Sequence, residues 1–209
     1  MEHHHHTGGC NCGKDDANAE SADQFNLFQR IDMEKLTTLN EVVEDSGKNV
    51  FRPWEDRLNR EKFVESDADE ELLINIPFSG SVKLKGIIVI GGEEGRNPSR
   101  IRLFKNRPFM TFEDAEAKCD QEFELALDQN GSVIYPTKAV TFSSVEHLSL
   151  HFPSNQGNQD STKIMYIGLK GDFIKSNRVG VVNAVYEARP MMEDHKADVK
   201  SQTQHQLNF

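Results

Sequence analysis

Cysteine, tryptophan and tyrosine are scarce in this chain, which carries three, one and three of them in 209 residues. Cys10, Cys12 and Cys119 are too few for a disulfide framework, and the first two fall in a polar tail. Long apolar runs are absent as well. The longest, Ile87 to Ile90, is one strand's worth against the roughly 18 residues that a bilayer span requires. The opening Met1-Glu2-His3-His4-His5-His6 has no apolar core of a secretory signal, so the expected location is the cytoplasm, with the nucleus reached by diffusion. Clustered lysine and arginine are also missing, and the formal net charge is −10. Phosphate neutralisation needs a concentrated cationic surface, so nucleic acid and anionic membranes are poor partners, whereas a basic protein surface would be attracted.

What is present is a strand-rich middle between two polar ends. The overall apolar content of 36% is low for a fully packed chain. Residues 1–24 and 191–209 read as polar tails too poor in apolar side chains to fold. Residues 25–190 read as one domain. Its first part, Phe25 to Asn40, has apolar residues spaced three to five apart, and Asp32 is placed to cap a helix from Met33. Beyond it the period shortens to two. Leu73 to Phe78, ending near Pro77, reads as one strand, and Val82 to Ile90, interrupted at Gly86, as another. Further strands are expected at Ile101–Leu103, Phe123–Leu127, Val133–Tyr135, Leu148–Phe152, Ile164–Leu169 and Val181–Tyr186. Asn130-Gly131 reads as a hairpin turn, and Thr111 with Asp114 as the capping box of a short helix from Phe112 to Lys118. About eight strands without alternating helices predict an all-β sandwich or barrel.

The candidate chemistry is thin. His3 to His6 with Cys10 and Cys12 offer ligands that suit zinc or copper, but Cys-Asn-Cys is not the spacing of a structural zinc site, and a solvated tail is the reading preferred. His147 and His151 would be side by side on a helix. On the strand predicted here they stand about 13 Å apart, too far for one ion, and read as surface residues flanking Ser149. The acidic run Glu65-Ser66-Asp67-Ala68-Asp69-Glu70-Glu71 has oxygen ligands for calcium but not the spacing of an EF-hand; it reads as a charged loop able to serve as an interaction edge. Gly91-Gly92-Glu93-Glu94-Gly95-Arg96 is a loop and not a phosphate cradle, because two glutamates stand where phosphate would bind. Phe51-Arg52-Pro53-Trp54 reads as a turn with a buried anchor. No nucleophile elbow occurs, and no catalytic residue is assigned.

Several ordered segments carry a family resemblance. They are Phe63-Val64-Glu65-Ser66-Asp67-Ala68-Asp69-Glu70-Glu71-Leu72-Leu73, Val82-Lys83-Leu84, Asn106-Arg107-Pro108, Met110 to Glu116 and Ser154-Asn155-Gln156-Gly157. Together they resemble the PITH family, the proteasome-interacting domain of thioredoxin-like proteins, here without a thioredoxin domain or its Cys-x-x-Cys. The resemblance implies a jelly-roll β-sandwich of the galactose-binding-like type with short helices. It implies a non-enzymatic adaptor or regulator associated with the proteasome's regulatory particle, acting without a cofactor. Asp67, Asp69, Glu70 and Glu71 are assigned to the interaction surface, and the chain is expected to be a monomer. The alternative is a module for a small, sugar-like ligand, for which Trp54, Tyr135, Tyr166 and Tyr186 are the aromatic candidates, most of them in strand patterns that bury them.

Overall fold

The structure, a computed structural model, describes residues 25–176. Eight strands run β1 (Thr37–Leu39), β2 (Val64–Glu65), β3 (Leu72–Gly91), β4 (Arg100–Lys105), β5 (Gln121–Glu124), β6 (Tyr135–Pro136), β7 (Val145–Phe152) and β8 (Lys163–Ser176). Every pairing among them is antiparallel, in the order β2-β8-β3-β7-β4-β5, with β1 and β6 added along β3. The result is the jelly-roll β-sandwich expected.

β3 organises this arrangement. The two strands expected over 73–78 and 82–90 are one 20-residue strand, because Pro77 and the turn-forming Ser79-Gly80 bend the chain without ending its pairing. Its first half, Leu72 to Pro77, lies against β7, and its second half, Val82 to Gly91, against β8. The register shifts between Pro77 and Val82 and around Gly86 mark irregularities that increase bend and twist. One strand thereby serves both layers.

Burial follows from that position. Leu72, Ile74, Ile76, Val82, Leu84, Ile87 and Val89 enter the main core with Leu103 of β4, Leu148 and Leu150 of β7 and Ile167 and Leu169 of β8. The opposite parity is also covered. Leu73 packs with Phe104, Met110 and Ala115, and Ile88 and Ile90 pack with Phe25, Trp54 and Tyr166. Burial on both faces explains why β3 reads as nearly continuous apolar sequence, each large side chain contributing about 1.5–3 kcal/mol.

Helix is sparser than the spacing over Phe25–Asn40 suggested. Only Leu27–Arg30 forms a single 3-10 turn, and Thr37–Leu39 is strand β1. Asp32 still closes a turn, its carbonyl accepting from Lys35 and Leu36 and its carboxylate pairing with Lys35 at 2.7 Å. The helix does not continue because Thr37 and Thr38, β-branched and stiff, take the free edge of β3. Helix α1, Phe112–Ala115, has the expected capping box between Thr111 and Asp114. The Asn130-Gly131 turn is not a hairpin. β5 pairs with β4 and β6 with β3, so this loop crosses between strands, held by the Asp128 carboxylate, which accepts from the backbone of Asn130, Gly131 and Val133. The strand expected at Val181–Tyr186 and both expected tails lie outside the described residues.

Candidate functional site

The acidic run is a loop whose shape is fixed by its neighbours. Upstream, Glu65 accepts from Arg96 at 2.9 Å and from Ser161 at 2.8 Å. Burial works to raise this carboxyl, but those hydrogen bonds and the charges of Arg96 and Lys163 prevail and hold it below its ordinary value. Ser66 is buried, its amide donating to the Thr162 carbonyl and its hydroxyl accepting from the Thr162 amide at 2.8 Å. The loop proper is gathered by Asn40. Its side-chain amide donates to the Asp69 carboxylate and to the Glu71 carbonyl, each at 2.7 Å, and its side-chain oxygen accepts from the Ala68 amide at 3.0 Å. Asn40 can do this at a φ of 66°, a conformation asparagine tolerates better than most residues.

The four residues assigned from sequence therefore divide. Asp69 is exposed but engaged, its carboxylate accepting also from the Glu71 amide at 3.0 Å, and acts as a staple of the loop. Asp67 is exposed and Glu70 half-buried, and among the described residues neither carboxylate has a hydrogen-bond or ion-pair partner. Glu71 faces a cleft at the start of β3. Asn40 was missed in the sequence because a single asparagine between Leu39 and Glu41 looks like any turn residue.

The histidine reading needs correction. His147 is half-buried, and His151 is 4% exposed instead of lying on the surface. The strand alternation was right, but α1 covers the outer face that the pattern assigned to solvent. His151 stands opposite Leu73 of β3 and Arg102 of β4, with the Phe112 ring edge-on at 6.2 Å. Its Nε2 lies 3.4 Å from Glu71 Oε1, without hydrogen-bond geometry, and neither ring nitrogen has a hydrogen-bond partner among the described residues. Burial, helped by the charge of Arg102, lowers its pKa from 6.5 to about 4, so the ring is neutral at neutral pH. Glu71 is shifted upward, first by burial and then by the charges of Asp69 and Glu70.

Acid sensitivity follows. Between the unfolded value of 6.5 and the folded value of about 4, the unfolded chain holds a proton at His151 that the folded chain does not. Stability is thus complete above 6.5 and is lost as pH falls through this window. After allowance for solvent at the cleft mouth, the expected loss between about pH 7 and about pH 5 is roughly 1–2 kcal/mol. Glu71, shifted the other way, offsets part of it at the acid end. Urea midpoints over that range check this: His151→Gln should flatten the slope, and an unchanged slope would contradict it.

Other candidates distribute as follows. Among the described residues no three His, Cys, Asp or Glu side chains are grouped to hold a metal. His3 to His6, Cys10 and Cys12 lie outside the described residues, as does Tyr186. Trp54 and Tyr166 are buried in a stack with Phe25, and Tyr135 is buried against Phe123. None offers an exposed ring for a sugar. Phe109, missed by the sequence reading, is 75% exposed at a φ of 56°.

Strand pairing and site together define a single antiparallel β-sandwich module whose acidic loop is built into the meeting of β2, β3 and β8. The chain belongs to the PITH-domain family, whose model matches residues 17–190. PITH domain-containing protein 1 of Homo sapiens is 48% identical over 196 residues, covering 93% of this chain and 92% of the relative. The Xenopus laevis protein of that name is 48% identical over 211 residues, covering 100% and 99%. The one from Dictyostelium discoideum is 38% identical over 200 residues, covering 95% and 98%. Among solved structures, the C-terminal domain of a chitobiase from Bacteroides fragilis aligns over 70% of this chain and 99% of its own, at TM-score 0.46 and 17% identity. A family 32 carbohydrate-binding module of Clostridium perfringens NanJ, in complex with galactose, covers 67% and 96% at TM-score 0.44 and 10% identity.

Proposed function

We propose that the chain is a protein-interaction module without catalytic activity, an adaptor or regulator that docks as a monomer on the proteasome's regulatory particle in the cytoplasm and nucleus. The observation that carries the reading is the acidic loop fixed in shape by Asn40 before any partner arrives, with Asp67 and Glu70 left unpartnered among the described residues. A loop already ordered avoids much of the entropy cost of binding, and its charge steers a basic surface toward it. The proteasome as partner rests on the family.

The test is recovery of the full chain from cytosol with its partners, identified by mass spectrometry. Proteasome subunits are expected with the native sequence, and Asp67→Ala/Glu70→Ala should reduce their yield several-fold while leaving the melting temperature unchanged. No subunits above background from the native chain would defeat the reading. Equal recovery by both would move the contact off this loop.

A further inference from the structure

Between the acidic loop and α1 lies an open cleft of about 290 Å³, room enough for a large side chain, walled in part by Phe112 and Pro153. Glu71, Glu113 and Glu116 line it, and Arg102 is the one cation among its lining residues. Arg102 is already committed, donating to the carbonyls of Ala115 and Ala117 with its Nε 3.7 Å from Glu122. At the floor lies His151, its side chain 5% exposed beneath a Glu71 side chain that is 38% exposed. Both ring nitrogens are shut from solvent without a hydrogen bond from any described residue. A buried imidazole left in this way loses part of its solvation, and carboxylates held side by side repel one another. Both costs are relieved by a ligand that brings several N–H donors and a positive charge.

We infer that this cleft receives an arginine side chain of a partner protein, its guanidinium held by Glu71 and Glu116 over His151. The inference rests on the reading of the chain as a protein-interaction module and adds the chemistry of the partner's contact. A guanidinium fits better than an ammonium. Its planar fork meets two carboxylates at once, it stacks on an aromatic wall such as Phe112, and it gives up its hydration more readily. Rotation of Glu71 at the mouth opens the path to the imidazole, whose free nitrogen accepts one N–H. The upward shift of Glu71, from burial and from Asp69, Glu70 and Glu116, agrees with carboxylates in want of a cation.

The experiment is an NMR titration of the 15N-labelled full chain with the peptide acetyl-Gly-Arg-Gly-amide, read at the His151 ring nitrogens. The same peptide with citrulline, neutral and nearly isosteric, and with lysine are the controls. Saturable shifts at His151 are expected with arginine, about tenfold weaker binding with lysine, and none with citrulline. Glu71→Gln/Glu116→Gln, which keeps the shape of both side chains, should weaken the arginine peptide about tenfold. Absence of shifts at His151, equal binding of citrulline, or no effect of the double substitution overturns the inference, and equal binding of lysine overturns the choice of a guanidinium. Proteasome recovery is measured separately and stands or falls on its own.

Discussion

Replacing Arg52 by alanine is expected to cost about 3–5 kcal/mol, a large share of the roughly 5–15 kcal/mol that holds a domain folded. Arg52 is 6% exposed, and its guanidinium is wrapped in backbone carbonyls. Nε donates to Asp56 at 2.9 Å, Nη1 to Asn49 at 2.8 Å and Met165 at 2.7 Å, and Nη2 to Asn59 at 2.8 Å. The Tyr166 ring lies 5.5 Å away. Burial lowers the guanidinium's pKa, but from so high a starting point that it stays charged. Met165 is in β8, 113 residues on, so this one side chain ties the irregular segment from Asn49 to Lys62 to the sheet. Alanine would leave these carbonyls without donors and a void beside the Tyr166 ring. Thermal unfolding should shift down by roughly 10–15 °C. Arg52→Lys, a single point of donation in place of a fork, should recover less than half. A loss under about 1 kcal/mol in the alanine variant would mean that water replaces the guanidinium without penalty.

Gly157→Ala is expected to cost about 1–3 kcal/mol, and more if the loop cannot relax. Gly157 and Gly95 meet backbone to backbone, the Gly157 amide donating to the Gly95 carbonyl at 2.8 Å. A Cβ on Gly157 would stand 2.6 Å from the Gly95 Cα, where no side chain is available to swing aside. Gly95 cannot yield cheaply, since its φ of +82° is already one that only glycine holds easily. The two loops must therefore separate, straining the bonds of the neighbouring Gln156 to Asn97 at 2.8 Å and to Leu125 at 2.6 Å. The strain passes on to Arg96, and through it to Glu65 at the base of the acidic loop. Urea denaturation measures the stability loss. The Asn158→Gly variant, next in sequence at a φ of 47°, should be neutral or stabilising under the same conditions.

These two residues show what could be read in the sequence and what could not. Alternation located β7, a run apolar on both parities located Ile164–Leu169 of β8, and the Thr111/Asp114 spacing located α1. Ser-Asn-Gln-Gly was legible as a family segment, but its reason was not, because Gly157 is constrained by Gly95, 62 positions earlier. Phe51-Arg52-Pro53-Trp54 was legible as a turn with a buried anchor. That the anchor includes a guanidinium is set by carbonyls of the 49–62 segment and of Met165 in β8, 113 residues on, which no local pattern records. His151 was placed on the correct face of the correct strand but on the wrong side of solvent, since the covering α1 is 36 residues away. The acidic loop was visible as a run of charge, whereas its division into a hydrogen-bonded, stapling Asp69 and an Asp67 and Glu70 unpartnered among the described residues depends on Asn40.

β3 has one more consequence. Because its first half belongs with β7 and its second with β8, neither layer can be completed without it, and neither can come apart while it stays whole. The chain must close loops of some 65 to 95 residues to seat it, so folding is slow relative to its size but cooperative, with no stable half on the way. The platform behind the acidic loop is accordingly assembled all at once, and Glu71, the residue just before β3, is in place only when the whole domain is.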